Sequence, residues 1–134
     1  MQSNTQHMEV TLNMLDLQKI LKNPSDYNCK IHKNLKGGEG TCEVYTRKEP
    51  SSPDYKEEGI IIMMKVNGVY PSIGLHKHED DQETYTVITG FFEINGTIVG
   101  PGKSLTCQMG ESHYAKLKSE SGSLMFQKKT PSTA

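Results

Sequence analysis

From residue 41 onward the apolar positions of the chain fall into short runs, many of them with period two, separated by turn-forming residues. That pattern describes strands whose successive side chains leave opposite faces. Strands are predicted over 41–47, 84–89, 91–94, 97–99, 104–109, 113–118 and 123–128. Residues 60–66, Ile-Ile-Ile-Met-Met-Lys-Val, form a near-continuous apolar run. This is the mark of a strand covered on both faces, and it is far too short to cross a membrane. Asn95-Gly96 between two runs is a strong hairpin signal. Residues 119–122 predict a further hairpin, and Asn67-Gly68 and Gly100-Pro101-Gly102 mark turns. Only residues 13–23 break the pattern. There Leu17, Ile20 and Leu21 share a face at helical spacing, Asn13 or Asp16 could cap them, and Pro24 stops the run. Short strands with frequent turns and no internal repeat imply one all-β barrel or double sheet with a short N-terminal helix.

The 134 residues suit one domain that buries roughly two-thirds of its unfolded surface. The domain is expected over 13–129, between a polar, flexible arm at 1–12 and a polar tail at 130–134 that frays. Fifteen basic against sixteen acidic side chains leave a net charge of −1, so no nucleic acid or membrane partner is recruited electrostatically. No apolar signal core follows the start. Cys29, Cys42 and Cys107 form no Cys-X-X-Cys and leave one thiol over in any disulfide scheme. A cytoplasmic protein whose thiols pack as small hydrophobes is expected. Two segments read as loops. In 36–40 no Gly-Lys-Ser follows to make a phosphate cradle. Residues 48–58 are charged and proline-punctuated, with little to bury. His32 has no partner at ligand spacing and reads as a surface residue.

The candidate chemistry lies in the middle of the chain. His76 and His78 are two apart, so a strand would send both imidazoles out of one face. After four polar residues Glu83 opens the next run, and a hairpin-like return would carry its carboxylate back to the imidazoles. His113 stands three places after Gly110. Three neutral nitrogens and one carboxylate suit a divalent transition metal and leave coordination positions free. Taken alone, His-X-His beside Glu79, Asp80 and Asp81 would equally describe a solvated loop of mixed charge. Alternation extends the site: if Glu83 points inward, so do Tyr85 and Val87, and if His113 does, so do Ala115 and Leu117. Tyr85 is thus the candidate catalytic side chain, its phenol either near a substrate or filling the barrel as a core aromatic. Phe92, Met63 and Met125 are candidates for an apolar wall. No Ser-His-Asp or Cys-His nucleophile pattern is present.

The spacing of these residues resembles the two motifs of the cupin superfamily. In the first, His-X-His is followed by Glu and then Gly, matched by His76, His78, Glu83 and Gly90. In the second, two glycines precede a His, matched by Gly102, Gly110 and His113. Tyr70 replaces the opening Gly of the first motif, Gln108 a Pro and Leu117 an Asn of the second, and the stretch 91–101 between motifs is short. The resemblance spans residues 40–129 and retains every ligand position.

The resemblance implies a small RmlC-like cupin, a double-stranded β-helix or jelly-roll barrel. It also implies that His76, His78, Glu83 and His113 hold Fe, Mn, Ni or Zn. A six-coordinate ion with these ligands keeps two positions for a chelating substrate, or for substrate and O₂. Cupins with this ligand set include dioxygenases, isomerases, decarboxylases and lyases, and others are binding modules. The leading expectation is a cytoplasmic, homodimeric, metal-dependent enzyme on a small polar or anionic metabolite. The alternative is a non-catalytic module for a small ligand or sugar.

Overall fold

The computed structural model describes residues 23–130. The arm at 1–12, the helix expected over 13–23 (Asn23 apart) and residues 131–134 of the tail lie outside the described residues. A 3₁₀ turn at Pro24–Asp26 leads into β1 (Tyr27–Lys33), and a second at Leu35–Gly37 leads into β2 (Thr41–Arg47). There follow β3 (Tyr55–Met64), β4 (Ser72–His76), β5 (Gln82–Thr89) and β6 (Phe92–Ile94). The last four are β7 (Thr97–Val99), β8 (Ser104–Cys107), β9 (His113–Leu117) and β10 (Ser121–Lys129).

The strands form two antiparallel sheets, a six-stranded one in the order β1-β2-β3-β10-β5-β8 and a four-stranded one in the order β4-β9-β6-β7. The chain changes sheet after β3, β4, β5, β7, β8 and β9, so strands adjacent in sequence seldom pair. This wiring is that of a jelly roll, with two inner faces enclosing one core. The Asn95-Gly96 hairpin forms as predicted: Phe92 pairs with Val99, Ile94 with Thr97, and the central φ angles are 50° and 83°. Two other expected hairpins are corrected. Residues 119–122 join β9 to β10 across the sheets, and β5 does not return along β4.

The core unites Ile61, Met63, Val87 and Leu124 of the large sheet with Phe92, Ile94, Ala115 and Leu117 of the small one. The expected alternation holds, with Glu83, Tyr85, Val87, His113, Ala115 and Leu117 all buried. The run at 60–66 belongs to β3, which ends at Met64. Its inward Ile61 and Met63 enter the core, and its outward Ile60 and Ile62 are covered by Tyr27, Tyr45 and Ile88 of the same chain. Both faces are therefore covered without a second subunit. Met125, expected on the apolar wall, instead stands opposite Ile60 on the outer row and is half-buried.

Three further expectations are corrected. Residues 55–58 are not loop but the start of β3. Their charges hid the strand because they are matched across it, with Lys128 Nζ 3.2 Å from Glu57. Glu58 is buried and folds the preceding loop back, accepting from the Ser51 N–H at 2.7 Å, the Ser51 hydroxyl at 2.9 Å and Gln127 Nε2 at 2.7 Å. Cys29 is exposed rather than packed, while Cys42 and Cys107 are buried thiols. Finally, β1 is a strand that the sequence reading left out. It pairs with β2 from Tyr27 opposite Arg47 to Lys33 opposite Thr41. Its apolar residues Tyr27, Cys29 and Ile31 do alternate with Asn28, Lys30 and His32, but the polar row faces the barrel and Ile31 is 67% exposed.

Candidate metal centre

β4 and β9 pair so that His76 lies directly opposite His113. An irregularity between Ile73 and His76 shifts the register just before this pair. His78 lies beyond the end of β4, so it is the following turn, not strand alternation, that brings it back. That turn is held by Gly110, whose N–H donates to the His78 carbonyl at 2.6 Å. Gly110 has φ 79°, a conformation that glycine adopts without steric cost. The connections β4–β5 and β8–β9 are thereby joined next to the imidazoles. Glu83 reaches the same point from β5 in the opposite sheet.

The structure brings all four predicted ligands together: one ligand atom from each of His76, His78, Glu83 and His113 lies within 4.8 Å of the others. Glu83 Oε1 is 3.0 Å from His113 Nε2 and 3.4 Å from His78 Nε2. The ring centroids of His76 and His113 are 4.3 Å apart, and that of His78 is 5.1 Å and 5.2 Å from them.

The outer nitrogens decide the tautomers. Nδ1 of His76 is 2.7 Å from the Gly74 carbonyl, and Nδ1 of His113 is 3.3 Å from the Glu111 carbonyl. A carbonyl only accepts, so each of these nitrogens carries the ring proton. Nδ1 of His78 faces Asp81 Oδ1 at 3.4 Å. With protons held on the outside, the inward Nε2 atoms are lone-pair donors facing a carboxylate. Nε2 of His78 is buried and has no hydrogen-bond partner. A cluster of acceptors without hydrogens between them repels itself unless a cation lies among them. The donor set and its orphaned nitrogen therefore fit a divalent transition metal.

The protonation states agree. Burial pushes the His76 pKa below its ordinary value, and the neighbouring imidazoles add to the effect, so the ring is neutral. Burial by itself raises the pKa of Glu83. The close approach of His113, the Lys128 charge and the Tyr85 hydroxyl outweigh it and hold the carboxyl below the usual range. Neutral imidazole and ionised carboxylate are the forms a metal requires. Tyr85, the candidate catalytic residue, donates its hydroxyl to Glu83 Oε1 at 2.9 Å. Burial and then the Glu83 charge drive its pKa well above the ordinary phenol value. Cys107 is the cross-strand neighbour of Glu83, and its thiol is pushed up to about 12, chiefly by burial.

No protein-family model and no curated protein matches this chain. Solved structures do. A predicted oxalate decarboxylase from Thermotoga maritima superposes with a TM-score of 0.68 at 21% identity, over 81% of this chain and 97% of that one. KdgF from Halomonas sp. gives 0.58 at 14% identity, over 78% and 88%. An RmlC-like cupin from Shewanella frigidimarina gives 0.57 at 15% identity, over 79% and 87%. The chain has the cupin fold.

Within this cupin barrel the centre opens into a cavity of about 330 Å³. His76, His78, Glu83 and Tyr85 line it, with Ile61, Ile73 and Phe126 as an apolar wall. Phe92 and Met63, proposed for that wall from sequence, pack in the core instead. Lys30, His32, Lys36 and Lys128 line the cavity as well. The sequence reading missed these basic residues, and it placed His32 on the open surface. The one signal for them was the alternation within 27–33, which sets Lys30 and His32 on a common face.

Proposed function

We propose that His76, His78, Glu83 and His113 hold a divalent transition metal and that the protein is a metal-dependent enzyme. Its substrate in this reading is a small polar or anionic metabolite that chelates through oxygen atoms. The observation that carries the proposal is the convergence of three imidazoles and a carboxylate, with the outer nitrogens of His76 and His113 held by Gly74 and Glu111 and that of His78 facing Asp81. A metal held there would supply Lewis-acid or redox chemistry at the end of the cavity, of dioxygenase, isomerase, decarboxylase or lyase type.

The chain's own residues do the rest. The Gly74 and Glu111 carbonyls fix the rotation of His76 and His113, and the Asp81 carboxylate faces Nδ1 of His78. Tyr85 orients the Glu83 carboxylate through its hydrogen bond. Ile61, Ile73 and Phe126 exclude water from one side of the reacting group. The name of one structural neighbour, a predicted oxalate decarboxylase, lends weight to an enzyme on a small metabolite.

One observation favours a second reading, a non-catalytic module for a small ligand or sugar. The Tyr85 hydroxyl is engaged by Glu83 and its proton is held tightly, so it serves the ligand shell rather than proton transfer. A cytoplasmic homodimer belongs to the proposal as well. The reduced thiols support the compartment, and the exposed Ile31 on the edge strand β1 supports an interface on the outer face of the large sheet.

The test begins with elemental analysis of untagged protein before and after dialysis against a chelator. Reconstitution with Fe(II), Mn(II), Ni(II) or Zn(II) follows, with turnover and O₂ uptake assayed on a panel of hydroxy acids, keto acids and sugars. Turnover abolished by the chelator and restored by one metal is expected. Metal-dependent binding without turnover selects the module, and no stoichiometric uptake of any metal overturns both readings.

A further inference from the structure

β1 is the edge strand of the six-stranded sheet, and its inward Lys30 and His32 line the same cavity as His76, His78 and Glu83. Lys36 joins them from the turn between β1 and β2. This turn is clamped onto β4 beside the metal centre. The Lys36 carbonyl lies so close to Gly74 that a Cβ on Gly74 would fall 2.2 Å from it. Gly74 is also the residue whose carbonyl holds His76. Two bonds complete the clamp: the Glu39 N–H donates to the Ser72 hydroxyl at 2.9 Å, and the Ser72 N–H to the Glu39 carbonyl at 2.8 Å.

Lys36 itself has φ 54° and ψ 33°, the left-handed region, which strains a residue with a side chain. Gly37, next to it, has φ 82° and adopts the same hand freely. The turn geometry alone would favour glycine at Lys36 too. A lysine kept in this conformation at the exposed rim of the cavity is a place to look for a role beyond the turn itself.

The charges point the same way. Lys128 is matched by Glu57 at 3.2 Å, whereas among the described residues Lys30 and Lys36 have no ion-pair partner. Two lysines without an ion pair among the described residues thus line, at its exposed rim, the cavity that holds the candidate ligand cluster. Such a cleft focuses positive potential. The cavity, about 330 Å³, is at the lower end of the range for ligand sites, so one small molecule would span it.

Building on the metal reading, we infer that Lys30 and Lys36, with His32 beside them, bind a second anionic group of the substrate. The site accordingly takes small acids with chelating oxygens at one end and a carboxylate or phosphate at the other. A neutral sugar would leave both ammonium groups without a role. Lysines, unlike the planar fork of Arg, act as mobile point charges and serve either anion.

Calorimetric titration of the Mn(II)-loaded full-length protein tests this with two matched pairs of probes, lactate against malate and glycerate against 3-phosphoglycerate. At low salt the more highly charged acid of at least one pair should bind about tenfold tighter than its monoanionic counterpart, the gain expected of a charge-assisted contact. The pair that shows the preference identifies carboxylate or phosphate. In K30Q/K36Q the preference should shrink to about twofold, the residue left by long-range attraction, with Mn(II) affinity unchanged. K36G should lose most of the preference while its melting temperature stays level or rises, because glycine relieves the strained turn. Mn(II) uptake with no preference in either pair, or a preference that survives K30Q/K36Q, overturns the inference. Failure to take up Mn(II), and equally Fe(II), Ni(II) and Zn(II) in its place, overturns the metal reading beneath it.

Discussion

Glu58 and Glu83 are carboxylates of one sheet, hidden almost equally at 5% and 4% exposure, yet their surroundings differ in kind. Glu58, on the outer face, is surrounded by donors: the Ser51 N–H and hydroxyl, Gln127 Nε2 and, at 3.5 Å, Arg47 Nε. These contacts hold its pKa down against the effect of burial. Glu83, on the inner face, receives the Tyr85 hydroxyl and otherwise faces imidazole nitrogens whose protons lie on the far side of the rings. The first carboxylate is complete within the chain and pins a loop. The second lacks such a set of donors, which is what the proposed cation would supply. Burial of a charge is thus no mark of a site; the balance of donors and acceptors around it is.

Four experiments break or sharpen that contrast. His78→Ala removes the orphaned nitrogen and should lower metal affinity more than about 100-fold, beyond what loss of a supporting contact costs. Equilibrium dialysis with Mn(II) reads this, and the stability of the metal-free protein should hardly move. Glu58→Ala should do the reverse. It strands the Ser51 and Gln127 donors and costs about 2 kcal/mol in urea denaturation, with metal affinity intact. Asp81→Asn keeps the shape but weakens the acceptor at His78 Nδ1, and should cost about tenfold in metal affinity. An unchanged affinity would remove Asp81 from the account.

The smallest effect is in the pH dependence of the metal-free protein. The folded state lowers the His76 pKa below 6.5, so the unfolded chain binds that proton more readily and stability falls as pH drops below 6.5. Glu58 and Glu83 have depressed values. Their contribution is full above about 4.5 and is lost as pH falls through the lower folded values. Melting temperatures between pH 8 and 3 should therefore decline in two stages. His76→Ala should remove a part of the upper stage, and Glu58→Ala a part of the lower. A single acid transition that neither variant alters would contradict both assignments.

Much of the candidate centre was legible in the sequence because it rests on short-range geometry. Period two put Glu83, Tyr85 and Val87 on one face, and His113, Ala115 and Leu117 on another, and the structure buries all six. The path by which the ligands meet was not legible. His78 is off the strand, and β4 and β5 belong to different sheets, so the approach runs across the barrel rather than along a hairpin. The start of β3 was hidden because Glu57 and Glu58 look like loop residues until Lys128, Gln127 and Ser51 are placed beside them. Those partners are far away or on a returning loop, and no local pattern predicts them.

By itself the chain's order of residues determined the candidate ligand set, the strand alternation and the Asn95-Gly96 turn, since each depends on backbone geometry among near neighbours. Which way each face of a strand points was decided only by the packed sheets. On β5 and β9 the apolar row meets the core. On β1 the inward row opens onto a water-accessible cavity, so Lys30 and His32 take the inside and Ile31 the outside. A polar row turns inward wherever the barrel leaves space for solvent or ligand, and that space exists only after distant strands have closed around it.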